Sequence, residues 1–204
     1  LWSAGLAALT QCYSTRGLTV VAANNIASTL WNLFSVCFIS LGSATGIIIG
    51  QMLGAGKPAD EVRDCDRKLI AFSVTSCAVF GIAMAAVSGV FPLIYKTDNS
   101  VRSLATAFIC INAVIMPFNA YANAAYFTLR SGGKTLSTLL FDSCFVWVVS
   151  VPVAYTLSRF TGIAILPLYA VCQSAEILKC VIGYIMLRRG SWIKNIVQTH
   201  PDAE

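Results

Sequence analysis

The chain has 204 residues, 57% of them hydrophobic and 11% charged, with a formal net charge of +5 and a mean hydropathy of +0.73. Soluble domains are about a quarter charged, so this composition excludes an ordinary water-soluble fold and is counted in spans of ~20 residues. A nucleic-acid binder needs Lys and Arg gathered on one face; here they sit in short gaps between apolar runs.

Apolar runs read against charges predict six helices: 1–15, 24–53, 69–95, 103–129, 137–157 and 163–187. The fold class is therefore all-α, a polytopic transmembrane helix bundle of six helices. The first run begins at Leu1 with no preceding basic segment. Its 15 residues reach about 22 Å as helix, short of a ~30 Å hydrocarbon core, so it reads as truncated and the chain as a fragment.

The second run is uncharged from Gly17 to Gly56 and carries Gly42, Gly46, Gly50 and Gly54 at four-residue intervals. Interior glycines cost about 1 kcal/mol each in a water-exposed helix. In lipid the backbone must bond to itself, and a stripe of small residues lets a second helix approach closely. Residues 31–41 hold no turn cluster apart from Asn32, which favours one long tilted helix after a polar start at Ala22-Ala23-Asn24-Asn25 over two short spans.

The gap 54–68 that follows has mixed charge and reads as an amphipathic connector at the headgroups, with a gate as the sharper alternative. The fourth helix carries Asn112, Asn119, Tyr121, Asn123 and Tyr126 around Pro117, which removes a backbone bond and kinks the helix. Asn119 and Asn123 are one turn apart; Asn119, Asn123, Tyr121 and Tyr126 are the candidate cavity lining, with interhelical hydrogen bonding as the plainer role.

Two acids lie within the last helices, where a charge is costly and usually functional. Glu176 falls about 18 Å from Arg188 along the helix, near mid-membrane. It is either paired with Lys179, three residues on, or an ion-coupling residue. Asp142, two turns into the fifth helix, is either oriented by Arg130 or Lys134 or takes part in coupling.

Loop charges set direction. Lys57, Arg63, Arg67, Lys68, Arg130, Lys134, Arg188, Arg189 and Lys194 lie on one side; Arg16, Lys96, Arg102 and Arg159 lie on the other. The positive-inside rule makes the first side cytoplasmic: the loops 54–68 and 130–136 and the tail 190–204. Trp192, beside basic residues, reads as an aromatic anchor at the headgroups.

Enzyme chemistry lacks an inventory. The single His, His200, is in the tail, and no Ser or Cys has a base at motif spacing. The eight cysteines include no CxxC pair, so neither a metal site nor a redox motif is expected, and no cofactor.

Gly46-Ile-Ile-Ile-Gly50-Gln51-Met-Leu-Gly54-Ala-Gly56 and the charged loop after it resemble the start of the C-terminal lobe of MATE (multidrug and toxic-compound extrusion) transporters. Leu129-Arg130-Ser131-Gly132-Gly133-Lys134-Thr135, Val151-Pro152 and Gly190-Ser-Trp192-Ile-Lys194 follow in the same order. The resemblance implies that this chain is half of a twelve-helix, two-lobe transporter, its partner being a missing N-terminal lobe. It further implies an inner-membrane antiporter exporting organic cations in exchange for H+ or Na+. The sodium-coupled branch carries a carboxylate where this chain has Asn119, so coupling is expected in the other half. A lipid-linked oligosaccharide flippase of the same superfamily would need several cations facing the cavity, and only Lys179 lies within a span. A non-transporting membrane scaffold is the third class.

Overall fold

A computed structural model of the chain describes residues 2–133, 143–190 and 192–193. The architecture is all-α. Six α-helices are present among the described residues: α1 (Trp2–Ser14), α2 (Leu18–Gly54), α3 (Ala59–Val87), α4 (Asn99–Ser131), α5 (Val151–Phe160) and α6 (Ile165–Arg188). Four of them, α2, α3, α4 and α6, are long and apolar enough to cross a membrane.

The helices run alternately up and down, so the C-termini of α2, α4 and α6 and the N-terminus of α3 meet at one end. This basic end holds Lys57, Arg63, Arg67, Lys68, Arg130, Arg188 and Arg189. Central α4 makes the largest interfaces, first with α2, then with α3 and α6. Many large apolar side chains point outward, among them Leu33, Phe72, Val79, Ile82, Val114 and Val148. An apolar exterior of this kind belongs in lipid, where it costs nothing to expose.

Helix α2 is continuous over 37 residues, about 55 Å, and starts six residues before the expected boundary. The turn is made instead by Gly17, at φ 111°, a conformation that L side chains rarely adopt. Asn24 accordingly lies two turns inside the helix and is buried. On the far side of this turn, Arg16 donates from Nη2 to the carbonyls of Leu157 (3.1 Å) and Thr161 (2.6 Å), covering the C-terminus of α5.

The structure also redraws the connector expected over 54–68. Its second half is the first three turns of α3, which begins at Ala59 after Pro58. Asp60 and Glu61 in the first turn suit the helix dipole, and Lys57–Glu61 (3.0 Å) and Asp64–Lys68 (2.6 Å) form ion pairs at i,i+4 spacing. The other end of α3 stops at Val87 rather than 95. The Ser88 hydroxyl there donates to the Ala85 carbonyl at 2.7 Å, and a 3-10 turn containing Pro92 (Phe91–Ile94) follows.

Before α5, a π-helical turn spans Val146–Ser150, with the Val151 amide donating to the Val146 carbonyl. This five-residue reach precedes Pro152, which has no amide of its own to donate.

Three apolar clusters stack along the bundle. One, at the end opposite the basic residues, joins α1, α2, α4 and α6 through Tyr13, Ala23, Phe108 and Leu168. A middle cluster contains Phe38, Cys77, Met116 and Ala120. The third, at the basic end, contains Ile49, Leu53, Val62, Leu129 and Trp192. Trp192 therefore packs inside the bundle instead of facing lipid as an anchor. It is 1% exposed, its Nε1 donates to the Leu187 carbonyl at 3.0 Å, and its backbone lies directly over Gly132. Gly190, at φ 64°, folds the chain back, with the Arg63 guanidinium against it.

Candidate functional site: the α2–α4 seam and the polar face of α6

Close approach of α2 and α4 is built on the glycine stripe. A Cβ added at Gly42 would stand 3.0 Å from the Phe127 ring and 3.3 Å from the Asn123 backbone; at Gly46 it would stand 3.0 Å from Phe127 Cβ. At Gly50 the nearest described atoms are at 3.8 Å, and at Gly54 no atom of the described residues lies within 4 Å. The two helices thus touch from Gly42 to Gly50, and α4 ends beside this stretch at Ser131. The Ser131 hydroxyl donates to the Gly46 carbonyl at 2.6 Å, a side-chain bond across the seam. Beside this contact, a cleft of about 370 Å³ is lined by Ser43, Gly46, Ile47, Phe127, Arg130 and Ser131. Arg130 is exposed at its rim and repels an organic cation, so this cleft is a poor seat for one.

Pro117 leaves the Ala113 carbonyl without its helical donor. Gly81 of α3 packs against that oxygen, with a Cβ position only 2.7 Å away. Next to Pro117, Cys180 of α6 donates from Sγ to the Phe118 carbonyl at 3.1 Å. The helix around Pro117 therefore has neighbours on two sides.

The candidate lining residues do not converge on one cavity. Asn123 faces α2 beside Gly42, and Asn119 lies one turn before it. Both amides donate to carbonyls of their own helix, Asn119 to Ile115 (3.4 Å) and Asn123 to Asn119 (3.0 Å), rather than to another helix. Tyr126 shares that side and meets Phe127 edge-on at 5.3 Å. Tyr121 is rotated by roughly 200° from Asn119 and faces Cys180 and Tyr184 of α6 and Asp66 of α3.

A second set of polar groups follows one face of α6. Asn112 Oδ1 accepts from the Tyr169 hydroxyl at 2.9 Å and from Gln173 Nε2 at 2.6 Å. Tyr169 stacks on Phe108 at 4.2 Å and lies 5.5 Å from Tyr13, which ties α1, α4 and α6 together. One turn further, Glu176 and Lys179 form an ion pair at 3.4 Å, and Lys179 Nζ is 5.6 Å from the Phe145 ring centroid. Tyr169, Gln173, Glu176 and Lys179 recur at spacings of three and four, so a polar stripe was there to be read in the sequence, though only its last two members stood out. Asp142, the other candidate acid, and Lys134 lie outside the described residues.

The sequence reading missed Asp66. It is 4% exposed, and its Oδ1 accepts from the Thr128 hydroxyl of α4 at 2.7 Å. The buried residues of α3 are Val62, Asp66, Ile70, Ser73, Cys77, Gly81 and Met84. Reading that stripe back by fours from Ile70 lands on Asp66. Among the described residues no group of His, Cys, Asp and Glu is arranged to hold a metal ion.

The sequence model of the MatE family matches residues 2–156. The chain is 28% identical over 147 residues to a probable multidrug resistance protein NorM of Mannheimia succiniciproducens, covering 72% of this chain and 31% of that protein. It is 28% identical over 155 residues to a probable multidrug resistance protein NorM of Pasteurella multocida, with the same coverage. It is 26% identical over 145 residues to a multidrug resistance protein MdtK of Edwardsiella ictaluri, covering 71% of this chain and 32% of the relative. The chain thus spans about a third of the length of these curated relatives. No solved structure matches it. With α1 to α4, the π-helical turn and the start of α5 all inside the matched stretch, the chain belongs to the MatE family.

Proposed function

We propose that this chain forms one lobe of a secondary-active exporter of organic cations or amphipathic drugs, the C-terminal half of a two-lobe protein in the inner membrane. Entry of H+ or Na+ drives export, and the two lobes rock about the bound substrate. The observation that carries this reading is the family match over residues 2–156, with relatives named as multidrug resistance proteins. The basic end is the cytoplasmic one, since Lys and Arg collect there. Aromatic and amide groups on α4 suit flat cations, because cation–π contact needs no fixed ligand shape. Lys179, the in-span cation that a pyrophosphate carrier would need, is already engaged by Glu176, so the flippase reading gains nothing.

The test uses the full-length protein. Cells lacking their own efflux pumps and expressing it will lose a preloaded cationic dye faster than controls, and an ionophore that collapses the ion gradient will abolish the difference. Equal dye retention with and without the protein overturns the reading.

Glu176→Gln is expected to lower efflux several-fold, because a neutral amide can neither carry an ion nor balance the buried Lys179. Thermal unfolding of the purified variant separates the two roles. Reduced efflux at wild-type stability assigns Glu176 to coupling; a parallel loss of both assigns it to the ion pair.

A further inference from the structure

We propose that Asp66 is a proton-binding site at the basic end of the lobe, held between α3 and α4 and separate from the polar face of α6. The inference rests on the proposed antiport and adds a location for one of its protons.

Burial is the first argument. A carboxylate taken out of water loses its hydration, which the protein must replace with ion pairs or several hydrogen bonds. Asp66 is 4% exposed, and among the described residues a single neutral hydroxyl, Thr128, donates to it. No Lys or Arg among the described residues forms an ion pair with it. Arg67, adjacent on α3, is a charged neighbour without contact, and Tyr121 of α4 is the titratable group facing it, with Tyr184 of α6 beyond. At this end α2 contributes Ile49 and Leu53 to an apolar cluster with Val62 and Leu129. A site so poor in donors favours neutralisation of the acid.

The donor set decides what neutralises it. A metal cation such as Na+ needs several oxygen ligands. Among the described residues the one side-chain oxygen bonded to this carboxylate is the Thr128 hydroxyl. A proton needs only one oxygen. The Thr128 hydroxyl also fits both states, since it donates to the carboxylate and accepts from the carboxylic acid. The link between α3 and α4 therefore survives proton uptake while its charge changes.

Position supplies the consequence. Asp66 lies on the second turn of α3, next to the exposed Lys57–Glu61 and Asp64–Lys68 pairs, so the water-filled side is about two turns away. Uptake and release of a proton at Asp66 therefore change the charge at that end of α3 while the bond to Thr128 of α4 is kept.

The experiment is infrared difference spectroscopy of the full-length protein in liposomes, titrated with acid and followed by the carbonyl stretching band of a protonated carboxyl. Asp66→Asn retains an acceptor for Thr128 but cannot titrate, and the wild-type spectrum is expected to lose one component of that band in this variant. Thr128→Val removes a hydrogen bond that favours the charged form, so the same component is expected at higher pH. Efflux of dye by Asp66→Asn is expected to lose its pH dependence. A band identical in wild type and Asp66→Asn overturns the site, and so does an unmoved component in Thr128→Val. A band that behaves as stated, in a protein that moves no dye, upholds the site and overturns the exporter reading alone.

Discussion

Trp192→Ala is expected to lower the stability of the protein by about 3–5 kcal/mol, the usual cost of truncating a fully buried large aromatic side chain. The indole is 1% exposed and fills the cluster of Ile49, Leu53, Val62 and Leu129, so it joins the ends of α2, α3 and α4 to the segment after α6. Its Nε1 also donates to the Leu187 carbonyl. That carbonyl, in the last turn of α6, also accepts from the Gly190 amide at 3.1 Å, so the bond ties the indole to the turn that folds the chain back. Trp192→Phe keeps most of the apolar contact and loses the bond, so it should cost less, and the order of thermal unfolding temperature in detergent will be Trp, Phe, Ala. A headgroup anchor behaves differently: removing it leaves unfolding in detergent unchanged. Equal melting of wild type and Trp192→Ala would therefore move the side chain back out to the interface.

Trp192 shows where a sequence stops being informative. An aromatic beside Arg188, Arg189 and Lys194 has the composition of an interfacial belt, and composition carries no fold-back. The turn that buries it depends on Gly190 at positive φ and on Gly132 lacking a side chain, contacts between segments far apart in the chain. A methyl group at Gly132 would collide with the Trp192 backbone, so the pair acts as one unit.

The helices themselves were legible because hydrophobic run length is a strong signal in lipid. The ends were harder. Asn24 and Asn25 resembled a polar start for α2, while the turn is made upstream at Gly17. Residues 59–68 were too charged to read as part of a span. They continue α3 because ion pairs four residues apart stabilise a helix as effectively in a charged segment as in an apolar one. Once that segment is helical, its inward stripe carries Asp66 into the bundle, which loop reading hides.

Polar residues on α4 were legible by type, whereas their directions needed the packed helices. Tyr121 sits only two residues from Asn119 and Asn123, yet at 100° per residue it faces another helix. Sequence adjacency suggested one lined cavity; helix rotation divides the set between α2 and the α3–α6 side.

Gly46→Leu is the substitution expected to do most damage at the seam. A Cβ at this position already stands 3.0 Å from Phe127 Cβ and 3.3 Å from the Phe127 carbonyl. The remaining atoms of a Leu side chain can be housed only by moving α2 and α4 apart, which breaks the Ser131 bond to the Gly46 carbonyl. Overpacking of this kind costs about 1–3 kcal/mol and more where backbone blocks relaxation. The same substitution along the stripe provides the control. Gly42→Leu meets Phe127 and Asn123 and should be similarly harmful, Gly50→Leu milder, and Gly54→Leu mildest, because no atom of the described residues lies within 4 Å there. Stability measured across the four variants must follow that gradient; a flat series would mean that the seam is not the contact described. Dye efflux separates packing from motion. If α2 and α4 only have to stay together, efflux will follow stability through the whole series. If α2 moves against its neighbours at the basic end during transport, Gly50→Leu and Gly54→Leu will fold normally and still lose efflux, because their side chains obstruct that movement.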